Sequence, residues 1–192
     1  MDLVPQSCRV ILPTAPERAV SCNGGYVMTS WYDIMSLSAS IPAGSKERFA
    51  NYDQKQILES VGIVNDLVKK EAEVLGGYDK VFIGGFSQGC AISLATFLLH
   101  REKLGGVVGC SGALCADIDW QTVDLSLKKD SPMFIYHGTE DPMIPVALAE
   151  QSYAVMKEKG LEFEYTREPG MEHEVSNDEI RALKQFFYKH MP

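Results

Sequence analysis

Three residue types that cooperate in nucleophilic catalysis occur along this chain in the order Ser87, Asp141 and His173. Ser87 is the central residue of Gly85–Gly89, where an apolar run gives way to a helical pattern. A serine hydroxyl is a poor nucleophile, so it must be exposed, deprotonated by a base and supported by donors to the oxyanion. A sharp strand-to-helix turn with glycines two residues to either side provides that exposure. The stretch therefore predicts a nucleophile elbow, in which the backbone N–H of Gln88 faces the oxyanion.

Gly85–Gly89 also allows a second interpretation, a glycine-rich turn that holds a phosphate group. Turns of that kind carry a P-loop lysine or a G-x-G-x-x-G spacing, and this stretch has neither. Two glycines and a serine in five residues are a weak pattern alone. Their position between a predicted strand and a predicted helix is what favours the elbow.

Asp141 and His173 each follow a predicted strand, as Ser87 does. In parallel sheets functional residues gather in the loops at the carboxyl ends of the strands, so the three side chains are expected to meet. The order Ser, Asp, His is typical of α/β-hydrolases and differs from the order in other serine hydrolases. We expect His173 to take the Ser87 proton and return it to the leaving group, while Asp141 orients the imidazole.

Three other histidines compete for the role of base. His137 directly continues an apolar strand, so a packed and hydrogen-bonded side chain is the favoured interpretation. His100 and His190 lie at predicted helix ends, where the helix dipole favours a cation without any catalytic role. His173 is therefore the preferred base.

Several carboxylates lie near these positions in sequence. Glu140 could orient the base, but Asp141 precedes a proline that fixes the turn and is preferred. Glu172 and Glu174 flank His173 and are interpreted as solvated charges at the rim. Paired carboxylates that act on glycosides stay open as an alternative, although no spacing favours them.

Strands and helices alternate around these residues. The predicted strands are Cys8–Leu12, Lys80–Gly84, Gly105–Cys110, Pro132–His137 and Leu161–Glu168. The predicted helices are Tyr52–Leu75, Gln88–His100, one that Pro145 opens at its first position, and a last one with a capping box of Ser176 and Glu179. The alternation predicts an α/β fold, a mostly parallel sheet with helices on both faces, in one domain spanning residues 1–192.

The stretch between Leu12 and Asn51 is predicted to be irregular. Two prolines close the first strand, and glycines and serines recur after it. A loop this long is usually functional, and the aromatic pair Trp31-Tyr32 indicates that it packs over something. A pocket wall and a small satellite core both fit the pattern.

Composition excludes several classes of function. A formal charge of -8 over 192 residues, with a pI near 5.0, argues against nucleic acid and anionic membranes as partners, because both need clustered basic residues. No signal-peptide pattern and no run that could span a bilayer are present, so a cytosolic protein is expected. The five cysteines lack metal-type spacing and suit a reducing compartment. Cys8 could carry a palmitoyl group, but a small strand residue is the favoured interpretation.

Several separated blocks of the chain resemble the acyl-protein thioesterase family, the lysophospholipase-like carboxylesterases of the α/β-hydrolase fold. The blocks are Leu12–Pro16, Ser30–Asp33, Gly84–Gly89, His137–Pro145 and Gly170–His173, and the similarity runs from about Arg9 to the C-terminus.

The resemblance implies an enzyme that removes fatty acyl chains, palmitoyl from protein cysteine in the best-known members, without a cofactor. Ser87, Asp141 and His173 would form the triad. The loop with Trp31 would help to cover an apolar acyl groove, and Trp31 and Phe86 would contact the substrate.

The resemblance has one departure. Family members begin with a strand and a His-Gly-rich loop that donates the second oxyanion N–H, and nothing here matches them. In the family's sheet that strand lies between those matching Cys8–Leu12 and Lys80–Gly84. Losing one oxyanion donor typically costs about 10²- to 10³-fold in rate. The alternative function is therefore a weakly active or inactive acyl-binding or interaction protein, and the unpaired edge near Cys8–Leu12 predicts a homodimer.

Overall fold

A four-stranded parallel sheet lies at the centre of the computed structural model, which describes residues 3–37 and 46–191. The strands in chain order are β1 (Glu17–Val20), β2 (Tyr26–Thr29), β3 (Phe82–Phe86), β4 (Gly106–Cys110), β5 (Met133–Gly138) and β6 (Glu164–Glu168). The helices are α1 (Gln54–Leu75), α2 (Gln88–Leu99), α3 (Val146–Glu158) and α4 (Asn177–His190). The parallel sheet has the order β3-β4-β5-β6, so its carboxyl ends share one edge. The predicted α/β fold is confirmed.

Helix α1 forms because its apolar residues recur every three or four positions. Ile57, Val61 and Val68 are buried, and charged residues occupy the opposite face. The Asp53 side chain caps the first turn, and Gly76, at φ 76°, ends the helix in the left-handed conformation. The helix predicted over Tyr52–Leu75 is therefore confirmed, with a start two residues later.

Helices cover both faces of the sheet, as the alternation predicts. Val107 and Ile135 lie in a core shared with α1, α2 and α3. The neighbouring positions Val108 and Phe134 face the other way and pack with Phe186 of α4. This two-sided packing explains why the central strands β4 and β5 are buried at every position.

Most predicted boundaries agree with the structure to within three residues. Pro145 precedes α3 as its N-cap instead of occupying its first helical position. Ser176 caps α4 by accepting from the Glu179 N–H at 3.0 Å, as the predicted capping box requires. In the described ranges no helix is long and apolar enough to cross a membrane.

The strand predicted over Cys8–Leu12 is wrong. These residues pair with no strand in the described ranges, and 60% of Val10 and 87% of Leu12 is exposed. A strand needs a neighbour for its backbone groups, and β3 ends the described sheet on this side. Dimerisation through this edge stays a prediction, which sedimentation at several concentrations would test.

The irregular stretch predicted before Asn51 is also partly wrong, because it contains an antiparallel hairpin. β1 pairs with β2 from Glu17 with Thr29 to Val20 with Tyr26, around a turn that includes Gly24 and Gly25. All four residues of β2 are exposed, so the hairpin lacks the alternating burial that marks a strand in sequence. Residues 38–45 of the stretch lie outside the described ranges.

Candidate active site

Ser87 occupies the turn between β3 and α2, where its backbone is forced into an uncommon conformation. Its φ is 56° and its ψ is −118°, which L-residues rarely adopt. Gly85 permits the turn, because a Cβ at this position would lie 2.3 Å from the carbonyl carbon of Gly89. This geometry is that of a nucleophile elbow and places the hydroxyl at the carboxyl edge of the sheet.

The structure brings the three predicted residues into one hydrogen-bonded chain. His173 Nε2 lies 3.0 Å from the Ser87 hydroxyl oxygen, and His173 Nδ1 lies 2.7 Å from Asp141 Oδ2. A carboxylate can only accept, so Nδ1 carries the proton and donates it to Asp141. The Nε2 lone pair is then directed at the Ser87 hydroxyl, which is the arrangement that a general base requires.

Asp141 is buried within a turn that fixes both of its oxygens. Oδ1 accepts from the backbone N–H groups of Met143 at 2.9 Å and Ile144 at 2.8 Å, which leaves Oδ2 for His173. Only 4% of the residue is exposed. Because three donors converge on this carboxylate, both oxygens are fixed in place and Oδ2 is positioned to orient the imidazole.

Two backbone hydrogen bonds join the turn that carries Asp141 to the loop that carries His173. The Thr139 N–H donates to the Glu168 carbonyl, and the Glu140 N–H donates to the Met171 carbonyl, each at 3.0 Å. Gly138 lies so close to this loop that a Cβ would be 2.1 Å from the Met171 oxygen. The two loops therefore form one rigid unit beside the elbow.

The competing histidines lie elsewhere or are already bonded. His137 is fully buried, and its Nε2 lies 2.8 Å from the Ile144 carbonyl, so this nitrogen carries a proton and donates it. His100 Nδ1 lies 2.9 Å from the Asn65 side-chain oxygen, and His190 packs on Phe186. His137 Nε2 also lies 3.4 Å from Asp141 Oδ2, so this histidine packs beside the carboxylate that His173 binds. The contacts of His100 and His190 explain these two residues without a role in proton transfer.

The competing carboxylates lie on the outside of the same loops. Glu140, Glu172 and Glu174 are all exposed, whereas Asp141 is buried. Their exposed positions match solvated charges at the rim. The glycosidase alternative loses support because the buried carboxylate near Ser87 is bonded to a histidine instead of facing a second carboxyl group.

A cavity of about 480 Å³ opens beside Ser87 and His173. Most of its lining side chains are apolar or aromatic, including Tyr32, Ile34 and Leu148. Burial raises the pKa of the Tyr32 hydroxyl well above its ordinary value, so this wall stays neutral. Volume and lining are those of a binding site for a largely apolar ligand, with a smaller number of polar groups that include Ser87 and His173.

The structure places the two predicted substrate-binding residues outside the described lining of this cavity. Trp31 packs against the main core, and the Phe86 ring lies 4.8 Å from the His173 ring, where it supports the imidazole from behind. Tyr32, the neighbour of Trp31, is the aromatic residue that reaches the cavity. Which side chain of this segment reaches the cavity depends on packing, and substrate contacts of Trp31 and Phe86 stay a prediction.

Gln88 lies directly after Ser87, where the predicted oxyanion donor is needed. As the first residue of α2, its backbone N–H has no acceptor within the helix. Sequence reasoning missed the role of its side chain, which binds the backbone of residues 30–32. No signal in the sequence links these two stretches, which lie 56 to 58 positions apart.

Comparisons with known proteins agree with this geometry. The family model described as Phospholipase/Carboxylesterase matches residues 1–191. The chain is 36% identical to acyl-protein thioesterase 1 homolog 1 of Dictyostelium discoideum over 186 residues, which cover 96% of this chain and 77% of that protein. It is 37% identical to acyl-protein thioesterase 1 of Yarrowia lipolytica over 177 residues, which cover 91% and 74%.

Solved structures give the same answer. The crystal structure of SOBER1 of Arabidopsis thaliana, a carboxylesterase, matches with a TM-score of 0.82 at 30% identity and covers 95% of this chain and 83% of that one. Acyl-protein thioesterase 2 of Zea mays matches with a TM-score of 0.74 at 22% identity, over 94% and 80%, which supports the fold alone. The chain therefore belongs to the phospholipase/carboxylesterase family, with an α/β-hydrolase fold, and is a hydrolase of the esterase or thioesterase type.

Proposed function

We propose that this protein is a serine hydrolase that cleaves acyl thioesters or carboxylic esters through an acyl-serine intermediate. The observation that carries the proposal is the continuous chain of hydrogen bonds from Ser87 through His173 to Asp141. Sequence neighbours named acyl-protein thioesterase and carboxylesterase support this class of reaction.

The reaction follows from the direction of each hydrogen bond. The Ser87 oxygen attacks the acyl carbonyl while its proton passes to His173 Nε2, and Asp141 stabilises the imidazolium. The Gln88 N–H donates to the oxyanion from the first turn of α2, where the helix dipole also favours negative charge. His173 then protonates the departing thiolate or alkoxide, and water repeats the sequence to release the acid.

The cavity supports a fatty acyl group as the part of the substrate that is recognised. Each CH₂ group that an alkyl chain removes from water contributes about 0.8 kcal/mol to the free energy of binding. The apolar lining residues, which include Tyr32, Ile34 and Leu148, offer such a surface beside Ser87. An acylated protein or a small acyl ester would place its carbonyl at Ser87 and its chain in the cavity. None of the five cysteines, all of which lie in the described ranges, forms a disulfide, which is consistent with the expected cytosolic setting.

A second candidate function is acyl binding with little or no turnover. It is favoured by the position of β3, which carries the elbow yet forms an edge of the described sheet, so no adjacent strand there supplies a second oxyanion donor. Both candidate functions place an acyl group in the cavity, but only the first includes formation and hydrolysis of an acyl-serine.

Labelling by a fluorophosphonate probe, together with turnover of p-nitrophenyl butyrate, separates these candidates. We expect the probe to label Ser87, and we expect turnover to disappear in Ser87→Ala while the thermal midpoint changes little. Folded protein that is neither labelled nor active, but still binds a fluorescent fatty acid, would establish the second candidate. Turnover that persists in Ser87→Ala would overturn the proposed mechanism.

A further inference from the structure

The side chain of Gln88 pairs with the backbone of a distant segment in two directions. Its Oε1 accepts from the Trp31 N–H at 3.0 Å, and its Nε2 donates to the Tyr32 carbonyl at 2.9 Å. The Ser30 hydroxyl joins the same group, since it accepts from Gln88 Nε2 at 3.0 Å and donates to the Tyr32 carbonyl at 2.8 Å. The side-chain amide of Gln88 therefore both accepts from and donates to the backbone of residues 30–32, as a neighbouring β-strand would.

The segment held in this way is a wall of the cavity. Tyr32 is 2% exposed and packs edge-on against Tyr52, which also lines the cavity, with ring centroids 5.8 Å apart. Elsewhere the segment is attached to α1, where Gln56 Oε1 accepts from the Asp33 N–H at 2.8 Å and Ser60 donates to the Trp31 carbonyl. Gln88 thus attaches this segment to α2, the helix that begins directly after Ser87.

This attachment couples two parts of the site through one residue. The backbone N–H of Gln88 follows Ser87 directly, in a position to stabilise the oxyanion. The side-chain amide of the same residue holds the Tyr32 wall at its distance from the Ser87 oxygen. We infer that the Gln88 side chain is a specificity-determining positioning residue, which sets the width of the cavity next to Ser87 and thereby favours long acyl chains over short ones. The inference rests on the proposed function, because it requires an acyl chain in this cavity.

Gln88→Met tests the inference because it keeps the length of the side chain and removes its hydrogen bonds to Trp31, Tyr32 and Ser30. The Trp31 N–H then loses its acceptor, and the Tyr32 carbonyl keeps only the Ser30 hydroxyl, so we expect the wall to move away from Ser87. The inference requires that an acetyl group ends before it reaches this wall, whereas a long acyl chain contacts it. We measure the ratio of kcat/KM for a dodecanoyl ester to kcat/KM for an acetyl ester. We expect this ratio to fall about tenfold, which corresponds to the free energy of one hydrogen bond. The fall should come mainly from a higher KM for the dodecanoyl ester.

Ser30→Ala provides a second variant that leaves Gln88 itself intact. It removes the hydroxyl that bridges Gln88 Nε2 and the Tyr32 carbonyl, so we expect the same ratio to fall, by less than in Gln88→Met. Gln121→Met is the matched control, because Gln121 is exposed on a loop away from the cavity lining, and its ratio should equal that of the wild type.

The outcomes separate the inference from the proposed function. Wild-type protein without Ser87-dependent turnover of either ester would refute the proposed function, and the inference with it. Wild-type activity with an unchanged chain-length ratio in folded Gln88→Met and Ser30→Ala would refute the inference alone. Equal losses on both esters would assign Gln88 a purely structural role and would also overturn it. If Gln88→Met does not fold, the ratio in Ser30→Ala decides.

Discussion

Asp141→Asn is the substitution whose effect follows most directly from the geometry. Asp141 Oδ1 accepts from two backbone N–H groups, and Oδ2 accepts from His173 Nδ1. An asparagine has one oxygen and one NH₂ group to fill these two positions. If its oxygen stays with the backbone donors, its NH₂ group faces His173 Nδ1 and forces this nitrogen to accept. The imidazole proton then moves to Nε2, which can no longer take the proton of Ser87.

The alternative amide orientation is too costly to rescue the variant. It would keep the correct imidazole tautomer but would point NH₂ at the N–H groups of Met143 and Ile144. Each buried donor left without an acceptor costs about 1–3 kcal/mol, so the inactive orientation is favoured by at least about thirtyfold. Loss of the charge that stabilises the imidazolium adds to this effect. We expect kcat to fall by about 10⁴-fold, the loss that a wrong tautomer causes in a serine triad.

Turnover of p-nitrophenyl butyrate and thermal unfolding together check this expectation. The two side chains are nearly isosteric, so the thermal midpoint should stay close to that of the wild type. Glu140→Gln is the matched control, since Glu140 is the adjacent, exposed carboxylate, and its kcat should remain within about twofold. A value of kcat within tenfold of wild type in folded Asp141→Asn would refute the assigned orientation of the triad.

Two further predictions concern the elbow and the start of α4. Gly85→Ala places a Cβ 2.3 Å from the Gly89 carbonyl carbon. We therefore expect the free energy of unfolding to fall by about 1–3 kcal/mol and a fluorophosphonate to label Ser87 more slowly. An unchanged unfolding free energy and an unchanged labelling rate would refute the close approach. Burial raises the pKa of the Glu179 carboxyl above its ordinary value of 4.5, and hydrogen bonds from the Cys110 thiol and the Ser176 backbone offset this shift only in part. The native state therefore binds more protons than the unfolded chain, and stability falls as pH rises from 4.5 toward the raised pKa. Glu179→Gln should thus be more stable than the wild type at pH 7 but not at pH 4, and parallel melting curves against pH would contradict this.

The central elements could be predicted because their signals are local. The repeat of Ile57, Val61 and Val68 predicts α1, and the apolar runs that become β4 and β5 predict strands buried on both faces. The capping box at Ser176 marks the start of α4. Each of these patterns depends on residues within one or two turns of helix or one strand, so no tertiary information is needed.

The errors lie where pairing with a neighbour decides the structure. Residues 8–12 have the composition of a strand but no partner strand in the described ranges, and they stay unpaired. The hairpin of β1 and β2 exists because its strands pair with each other, although β2 is exposed at every position. Burial and pairing are properties of the fold, and a short segment does not reveal them.

The sequence by itself determined the α/β class, the position of the nucleophile turn and the order Ser87, Asp141, His173, because local periodicity and chain order encode all three. Only the tertiary structure decided that Ser87 and His173, 86 positions apart, lie 3.0 Å from each other. It also decided that Tyr32 instead of Trp31 reaches the cavity, and that the Gln88 amide holds this wall beside the nucleophile. These relations depend on which surfaces the sheet and helices bring together, and packing across the whole core sets that geometry.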